Sequence, residues 1–179
     1  TFQDGTLTVT GSGGSVTVSH SKEGVLYTGS GATIQRQNPG RDGGTFTMAT
    51  AYGTRSYLGS FSFSAYNSQL TVINTVPLSH YLYGVVGYEM SNLFPVEALK
   101  AQALAAKGYA LLKIHDSGLY DILDTTDDQV YKGYDPTSQN VIAAVDATMS
   151  DVLYYNNVPL YCYYAASNGG WMILPSDRW

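Results

Sequence analysis

Glu89 is the residue of this sequence whose surroundings most favour acid–base chemistry. It lies in YLYGVVGYEM (81–90), and the chain has only two other glutamates, Glu23 and Glu97. Apolar and aromatic neighbours remove water from a carboxyl group, which raises its pKa. A glutamic acid with a raised pKa in a groove is the general acid that cleavage of a glycosidic bond requires. The residues alone leave an alternative open, in which the Glu89 carboxylate accepts backbone N–H groups and caps the entry to a helix.

The residues after Glu89 predict a helix that would hold it in place. Pro95 suits the first helical turn, and Glu97 would lie near the positive end of the helix dipole. From there to His115 the chain is rich in Ala, Leu and Lys, with no proline and a single glycine, Gly108. Small and apolar residues recur at three- and four-residue spacing, which predicts one buried face. They are Ala98, Ala101, Ala105, Tyr109 and Leu112. We therefore predict a buried central helix.

Residues 1–75 predict a β-rich lobe without recognisable chemistry. Apolar and polar residues alternate in several runs rich in Thr, Val, Phe and Tyr, as is typical of strands. These runs are TLTVTG, SVTVSH, GTFTMAT, SYLGSFSFSAY and QLTVINTV. Glycine-rich stretches between them predict turns. Three or four hairpins in a small sheet or partial barrel fit this spacing.

Residues 76–179 predict the mixed α/β part of the same domain. VPLSHYLYGVV predicts a short helix or turn that leads the chain to Glu89, and a second helix is expected at about 138–149, after an N-cap at Thr137 or Ser138. DVLYYN and PLYCYYAA predict two strands joined by a hairpin through Asn156-Asn157, since asparagine tolerates a positive φ. We therefore predict an α+β fold, with a β-rich N-terminal part and a mixed α/β core around the central helix.

Composition excludes several classes of protein. The chain has 179 residues and a net charge of −5, with a pI of about 4.9 and no run of Lys or Arg, so we predict no nucleic-acid partner. Cys162 is the one cysteine, which excludes an intramolecular disulfide, and its apolar surroundings predict a buried strand residue. No apolar run approaches the ~20 residues of a membrane helix. Sixteen tyrosines and only 13 % charged residues suit an extracellular protein that meets carbohydrate.

Two further patterns suggest other chemistry, but neither has the required spacing. Five aspartates lie between Asp116 and Asp128, yet they do not match the Asp-x-Asp-x-Asp-Gly calcium loop. Ser167 lies close to Gly169-Gly170, but a nucleophile elbow requires Gly-x-Ser-x-Gly between a strand and a helix. We therefore predict neither a metal site nor a serine hydrolase.

Several blocks of this sequence resemble the SpoIID/LytB family. YLYGVVGYEMSNLFPVEALKAQALAAKGYAL (81–111) is similar to the family's core motif, and YDILDTTDDQVYKGY (120–134) and VIAAVDATMSDVLYYNNVPLYCYYAASNGG (141–170) follow in the same order. The resemblance implies a peptidoglycan lytic transglycosylase that cleaves the MurNAc–GlcNAc bond of peptide-denuded glycan strands. Glu89 would be its single general acid and base, and 1,6-anhydroMurNAc ends would be its product.

The resemblance also implies a set of substrate-binding residues and no cofactor. The set is Lys107, Tyr109, Gln129, Tyr131, Ser167, Asn168, Gly169 and Gly170. The family usually has arginine where this chain has Lys107, which keeps the charge without the bidentate fork. Some members bind zinc through His and Cys residues near two of these segments. Here Asp127, Asp128, Ala165 and Asn168 stand in those places, so we predict no zinc.

The family also supplies a rival interpretation. Some relatives are described as enhancers of an amidase, which implies a non-catalytic module that binds wall glycan, with a cell-wall amidase or another wall-remodelling protein as partner. Either function implies an extracellular location, in the cell wall or at the outer face of a bacterial membrane. A structural surface domain would be favoured if Glu89 lay exposed and far from any groove. Family chains continue beyond the position of Trp179, so we expect the core to be truncated at its C-terminus.

Overall fold

The computed structural model describes residues 5–37, 41, 44–50, 53–115, 117–167, 169–171 and 174–177. Contacts divide the chain into two compact units, Thr1–His80 and Tyr81–Trp179. The first contains antiparallel strands and the second contains most of the helical residues, which confirms the predicted α+β class. The assignment of residues 1–75 and 76–179 to one domain stays a prediction.

The first unit consists of short antiparallel strands in its described residues. They are β1 Leu7–Ser12, β2 Ser15–His20, β3 Gly24–Gly29, β4 Gly31–Gln35, β5 Phe46–Thr50, β6 Gly53–Tyr57, β7 Ser60–Tyr66 and β8 Gln69–Thr75. Their orders are β1-β2-β3, β4-β7-β8 and β5-β6, and no closed barrel forms among them. The β-rich N-terminal part is thereby confirmed, as small sheets.

Alternation of side chains explains how these sheets share a core. Val16 and Val18 of β2 and Phe61 and Phe63 of β7 are buried at two-residue spacing, and β7 contacts both β1 and β2. The ring of Phe61 lies 5.4 Å from that of Tyr57, in an edge-to-face arrangement. The aromatic residues therefore join the β5–β6 hairpin to the sheet of β7.

The run SYLGSFSFSAY, predicted as one strand, is divided between β6 and β7. Gly59 has a φ of +82°, and a Cβ there would lie 2.1 Å from the carbonyl oxygen of Thr75. Only glycine fits this conformation and this close backbone approach. Strands β3 and β4 were not predicted, because glycines at their ends interrupt the alternation of apolar residues.

The second unit is built around three helices. They are α1 Leu78–Glu89, which begins in the first unit, α2 Val96–Lys113 and α3 Gln139–Thr148. The strands β9 Tyr154–Tyr155 and β10 Val158–Pro159 form a hairpin, and a short 3-10 helix spans Pro175–Asp177. Asn156 and Asn157 both have positive φ, as predicted for the hairpin turn. Among the described residues, none of the helices is long and apolar enough to cross a membrane.

The central helix α2 packs against α3, but its buried face differs from the predicted one. Leu99, Ala103, Ala106 and Ala110 are almost completely buried, whereas Leu112 is exposed. The sequence pattern gave alanines equal weight with leucine, and it did not include Lys107 in the buried face. Because Lys107 is buried as well, the true buried stripe is displaced by about one residue around the helix.

Candidate active site

An open pocket of about 200 Å³ lies in the second unit. Residues from the end of α1, the C-terminal half of α2 and two irregular segments surround it. They are Glu89, Tyr109, Thr126, Asp128, Gln129, Val130, Cys162, Tyr163 and Tyr164. The pocket therefore brings together three residues named from the sequence, Glu89, Tyr109 and Gln129.

Glu89 is the last residue of α1 and presents its carboxyl group to this pocket. The helix is held by Leu82, Val85 and Val86, which are at most 1 % exposed. Although Glu89 as a residue is exposed, partial burial raises the pKa of its carboxyl group. Its position at the negative end of the helix dipole acts in the same direction. Within the described part of the chain its carboxylate accepts no hydrogen bond, so the helix-capping alternative is wrong there.

The chain that leaves Glu89 is anchored on α3 by Asn92. The Asn92 side-chain oxygen accepts the N–H groups of Asn140 and Val141 at 2.9 and 3.1 Å. In return the Asn140 amide donates to the Asn92 carbonyl at 2.9 Å. Asn92 thus satisfies the free N–H groups at the start of α3, while the predicted cap Ser138 makes no side-chain capping bond. These contacts fix the segment that immediately follows Glu89.

Gln129 is buried and has a fixed orientation. The Tyr81 hydroxyl donates to its Oε1 at 3.2 Å, and its Nε2 donates to the carbonyl of Ala106 at 3.2 Å. Nε2 also donates to the hydroxyl of Tyr164 at 3.0 Å. Since both amide hydrogens are used, Gln129 has no donor left for a ligand.

Asp128 is the second carboxylate of the pocket, and three donors hold it. It accepts the Tyr109 hydroxyl at 2.8 Å and the Leu123 N–H at 2.9 Å, and the Lys113 ammonium lies 2.7 Å away. Burial alone would raise the pKa of Asp128, but these hydrogen bonds outweigh burial and hold the pKa below its ordinary value. Asp128 is therefore an ionised carboxylate committed to protein donors.

Three tyrosines line the pocket, namely Tyr109, Tyr163 and Tyr164, and Tyr161 packs against two of them. The ring of Tyr161 lies 4.8 Å from the ring of Tyr109 and 4.8 Å from the ring of Tyr163. Tyr164 faces the same pocket, and burial raises the pKa of its hydroxyl, with the charge of Glu89 adding to the rise. An open pocket with several aromatic rings, and with a carboxyl group that accepts no hydrogen bond from the described residues, suits a ligand rich in hydroxyl groups.

Comparison with known proteins identifies the family. The SpoIID family, described as "Stage II sporulation protein", matches residues 66–155, which is half of the 179-residue chain. The chain belongs to the SpoIID family. It is 39 % identical over 98 residues to an amidase enhancer of Bacillus subtilis, covering 55 % of this chain and 13 % of that protein. It is 32 % identical over 126 residues to stage II sporulation protein D of the same organism, covering 60 % of this chain and 37 % of that protein.

A third relative is an uncharacterized protein of Brachyspira hyodysenteriae, 38 % identical over 117 residues, with 64 % of this chain and 32 % of that protein covered. The chain thus spans well under half the length of each of these relatives. No solved structure matches it significantly. Membership in the SpoIID family and similarity to an amidase enhancer support a role connected with the bacterial cell wall.

The structure places Lys107 and Tyr131, two residues that the SpoIID resemblance assigns to substrate binding, outside the pocket lining. The Lys107 ammonium is buried and donates to the carbonyl of Thr148, the last residue of α3. Burial lowers the pKa of Lys107, against a smaller opposing effect of the Asp151 charge. Tyr131 is buried, and its ring lies 5.1 Å from that of Tyr81. Both residues therefore contact other parts of the protein.

The Ser-x-Gly-Gly segment of the SpoIID motif also lies outside the pocket lining. Ser167 is exposed, and its hydroxyl accepts the N–H of Gly169 at 3.2 Å. Gly169 and Gly170 have φ values of +61° and +87°, which form a turn. Asn168 lies outside the described residues. Strand β10 ends at Pro159, the first residue of the predicted strand PLYCYYAA, so this turn does not follow a strand as expected.

Sequence reasoning missed six residues of the pocket, namely Thr126, Asp128, Val130, Cys162, Tyr163 and Tyr164. Asp128 was weighed only as a metal ligand, and no metal site was predicted. Among the described residues, no three His, Cys, Asp or Glu side chains are placed to hold a metal ion. Cys162 is half-buried in an irregular segment, where a buried strand residue was expected.

Proposed function

We propose that this SpoIID-family chain is a lytic transglycosylase that cleaves the MurNAc–GlcNAc bond of peptide-denuded peptidoglycan glycan strands. The observation that carries the proposal is the contrast between the two carboxyl groups of the pocket. Glu89 has a raised pKa and no hydrogen bond among the described residues, whereas Asp128 is ionised and held by three donors. One carboxyl group is thus available for proton transfer, and it is the one that the family motif assigns to catalysis.

A single carboxyl group is sufficient for this reaction. Protonated Glu89 donates its proton to the glycosidic oxygen as the bond between this oxygen and C1 of MurNAc breaks. The resulting Glu89 carboxylate accepts the proton of the MurNAc 6-hydroxyl, whose oxygen forms a new bond to C1. The products are a free hydroxyl on GlcNAc and a 1,6-anhydro end on MurNAc, and Glu89 regains its proton without the use of water.

The engagement of Asp128 argues against an ordinary glycoside hydrolase. Hydrolases use a second free carboxylate, either as the nucleophile or as the base that activates water. The Asp128 carboxylate already accepts hydrogen bonds from Tyr109 and Leu123 and pairs with Lys113. It therefore serves to position Tyr109, and an intramolecular attack is the reaction that one free carboxyl group supports.

The proposal implies a surface that binds sugars and a location where glycan strands occur. The ring of Tyr163, an exposed residue that lines the pocket, offers a stacking face for a sugar. A substrate of this kind implies action in the cell wall or at the outer face of a bacterial membrane. We propose the same location for this chain.

Mass spectrometry of reaction products tests the proposal. The native chain and the Glu89→Gln variant are incubated with purified glycan strands, both peptide-free and peptide-bearing. We expect 1,6-anhydro ends from the native chain on peptide-free strands, and a loss of at least a hundredfold in Glu89→Gln because the general acid is absent. Glu97→Gln is the matched control, since Glu97 is exposed on α2. Reducing ends in place of anhydro ends would contradict the mechanism.

A non-catalytic accessory role is the second candidate, and the similarity to an amidase enhancer favours it. In that case the pocket binds glycan, and Glu89 serves as a hydrogen-bond acceptor. Such a module would bind strands without cleaving them, and it would raise the activity of a cell-wall amidase added to the same assay. Glu89→Gln would then change binding alone.

A further inference from the structure

Tyr164 contributes a polar group to the pocket that neither the motif nor the family resemblance singles out. Tyr164 lines the same pocket as Glu89, and its hydroxyl accepts a hydrogen bond at 3.0 Å from Gln129, which also lines the pocket. A tyrosine hydroxyl has one hydrogen to donate and can also accept. The described residues provide no acceptor for this hydrogen, although the ring is partly buried.

The orientation of the Gln129 amide determines the direction of that hydrogen bond. The carbonyl of Ala106 can only accept, so the amide atom 3.2 Å from it must be the nitrogen Nε2. The same nitrogen faces the Tyr164 oxygen, and the Tyr81 hydroxyl donates to the opposite atom, Oε1. The Tyr164 oxygen is therefore an acceptor on its Gln129 side, and its own hydrogen must point elsewhere.

We propose that Tyr164 donates its hydroxyl hydrogen to an oxygen of the sugar bound against Glu89, and that Gln129 is a positioning residue that fixes this direction. The inference rests on the proposed function, because it assigns a second substrate contact to the same pocket. It also changes the role of Gln129. The buried amide acts on the sugar through Tyr164 and does not contact it directly.

Glycan binding in an inactive background tests the Tyr164 contact. Peptide-free glycan strands are titrated into Glu89→Gln and into Glu89→Gln/Tyr164→Phe. The loss of one hydrogen bond predicts about tenfold weaker binding in the second protein. Tyr155→Phe in the same background is the matched control, since Tyr155 is an exposed residue of β9 outside the pocket lining. Equal affinities of the first two proteins would overturn the inference.

Gln129→Glu tests the positioning role, because a carboxylate reverses the hydrogen bond. Glu at position 129 accepts from the Tyr164 hydroxyl, which turns the hydrogen away from the sugar. The change also removes the donor to the Ala106 carbonyl, so we expect an affinity loss at least equal to that of Tyr164→Phe, and a smaller effect of Gln129→Glu in the Tyr164→Phe background. A purely structural role of Gln129 would give the same loss with or without the Tyr164 hydroxyl, which would overturn the assignment. Thermal unfolding of each variant confirms that the comparison is made on folded protein.

The outcomes separate this inference from the proposed function. If the native chain cleaves strands and Tyr164→Phe leaves both binding and KM unchanged, only the Tyr164 inference fails. If the strands bind without cleavage and Tyr164→Phe weakens binding, the proposed reaction fails and the Tyr164 contact stands. If the native chain neither binds nor cleaves glycan, both are overturned.

Discussion

Gly84 and Gly87 lie on the same helix, and the structure predicts opposite effects when each is replaced by alanine. A Cβ at Gly84 would lie 2.3 Å from the carbonyl oxygen of Gly133 and 2.4 Å from Cε2 of Tyr131, distances that real Cβ atoms essentially never show. At Gly87 the nearest atom is Cγ1 of Val141 at 3.9 Å, which is an ordinary contact. Only the first substitution therefore requires the surrounding residues to move.

The magnitudes follow from two opposing effects. Replacement of glycine by alanine inside a helix stabilises by about 0.5–1 kcal/mol. Overpacking of a closed core costs about 1–3 kcal/mol, and at Gly84 one of the clashing groups is a backbone carbonyl that has little freedom to yield. We expect Gly84→Ala to lower the free energy of unfolding by about 1–2 kcal/mol, and Gly87→Ala to raise it by about 0.5–1 kcal/mol.

Urea denaturation followed by the helical circular-dichroism signal measures both changes, because most of the helical residues belong to the second unit. Gly84→Ala should also reduce glycan cleavage. Tyr131 and Gly133 lie within four residues of Gln129 in the chain, so their displacement would disturb this pocket residue. Gly87→Ala serves as its control in both assays. If Gly84→Ala proved as stable as Gly87→Ala, the close packing of α1 against residues 131–133 would be refuted.

Three other predictions test the site and its supports. Asn92→Ala removes the acceptor of two N–H groups of α3 and should cost about 1–2 kcal/mol of stability by urea denaturation; an unchanged midpoint would contradict the capping role. Because the pKa of Asp128 is lowered by folding, its contribution to stability is present above its ordinary pKa of 3.8 and is lost as pH falls through the lower folded value. Asp128→Asn should therefore flatten the acid limb of the Tm–pH curve, and an unaltered limb would argue against the ion pair. Because a general acid must be protonated, kcat/KM should fall as pH rises through the raised pKa of Glu89, with an apparent pKa above 4.5. A profile without this limb would exclude Glu89 as the acid.

Local signals predicted the helices well and the irregular segments poorly. The bounds of α2 and α3 agree with the sequence within two residues, because Pro95 and good helix formers mark α2 and apolar residues at helical spacing mark α3. QVY at 129–131 and PLYCYYAA at 159–166 have strand-like composition, yet the structure assigns no strand to residues 129–131 or 160–166. Contacts with side chains and with α2 hold these two segments in place. Leu160, for example, has its carbonyl oxygen only 2.4 Å from where a Cβ on Gly108 would lie.

A site residue could be predicted where its side chain is unusual for its local sequence and a family motif surrounds it. Glu89 stands out because a carboxyl group within an apolar run is unusual, and a family motif surrounds it. Tyr164 and Asp128 were missed because their roles depend on partners far away in the sequence, such as Gln129 at 35 residues and Tyr109 at 19 residues. Among sixteen tyrosines, composition does not distinguish the three that share a pocket with Glu89.

Helix α3 contributes no residue to the pocket lining, yet polar contacts at both of its ends help to position the residues that do. Asn92 accepts N–H groups at its positive end, and the Lys107 ammonium donates to a carbonyl at its negative end, so each contact complements the helix dipole. Between them, the hydroxyl of Tyr83 on α1 donates to Asp146 of α3. The three contacts connect α3 to the helix that carries Glu89, to the segment that follows it, and to α2. This explains why a lysine is buried at position 107. Its charge replaces the water that the end of α3 would otherwise require, and it does so from the helix that also carries Tyr109.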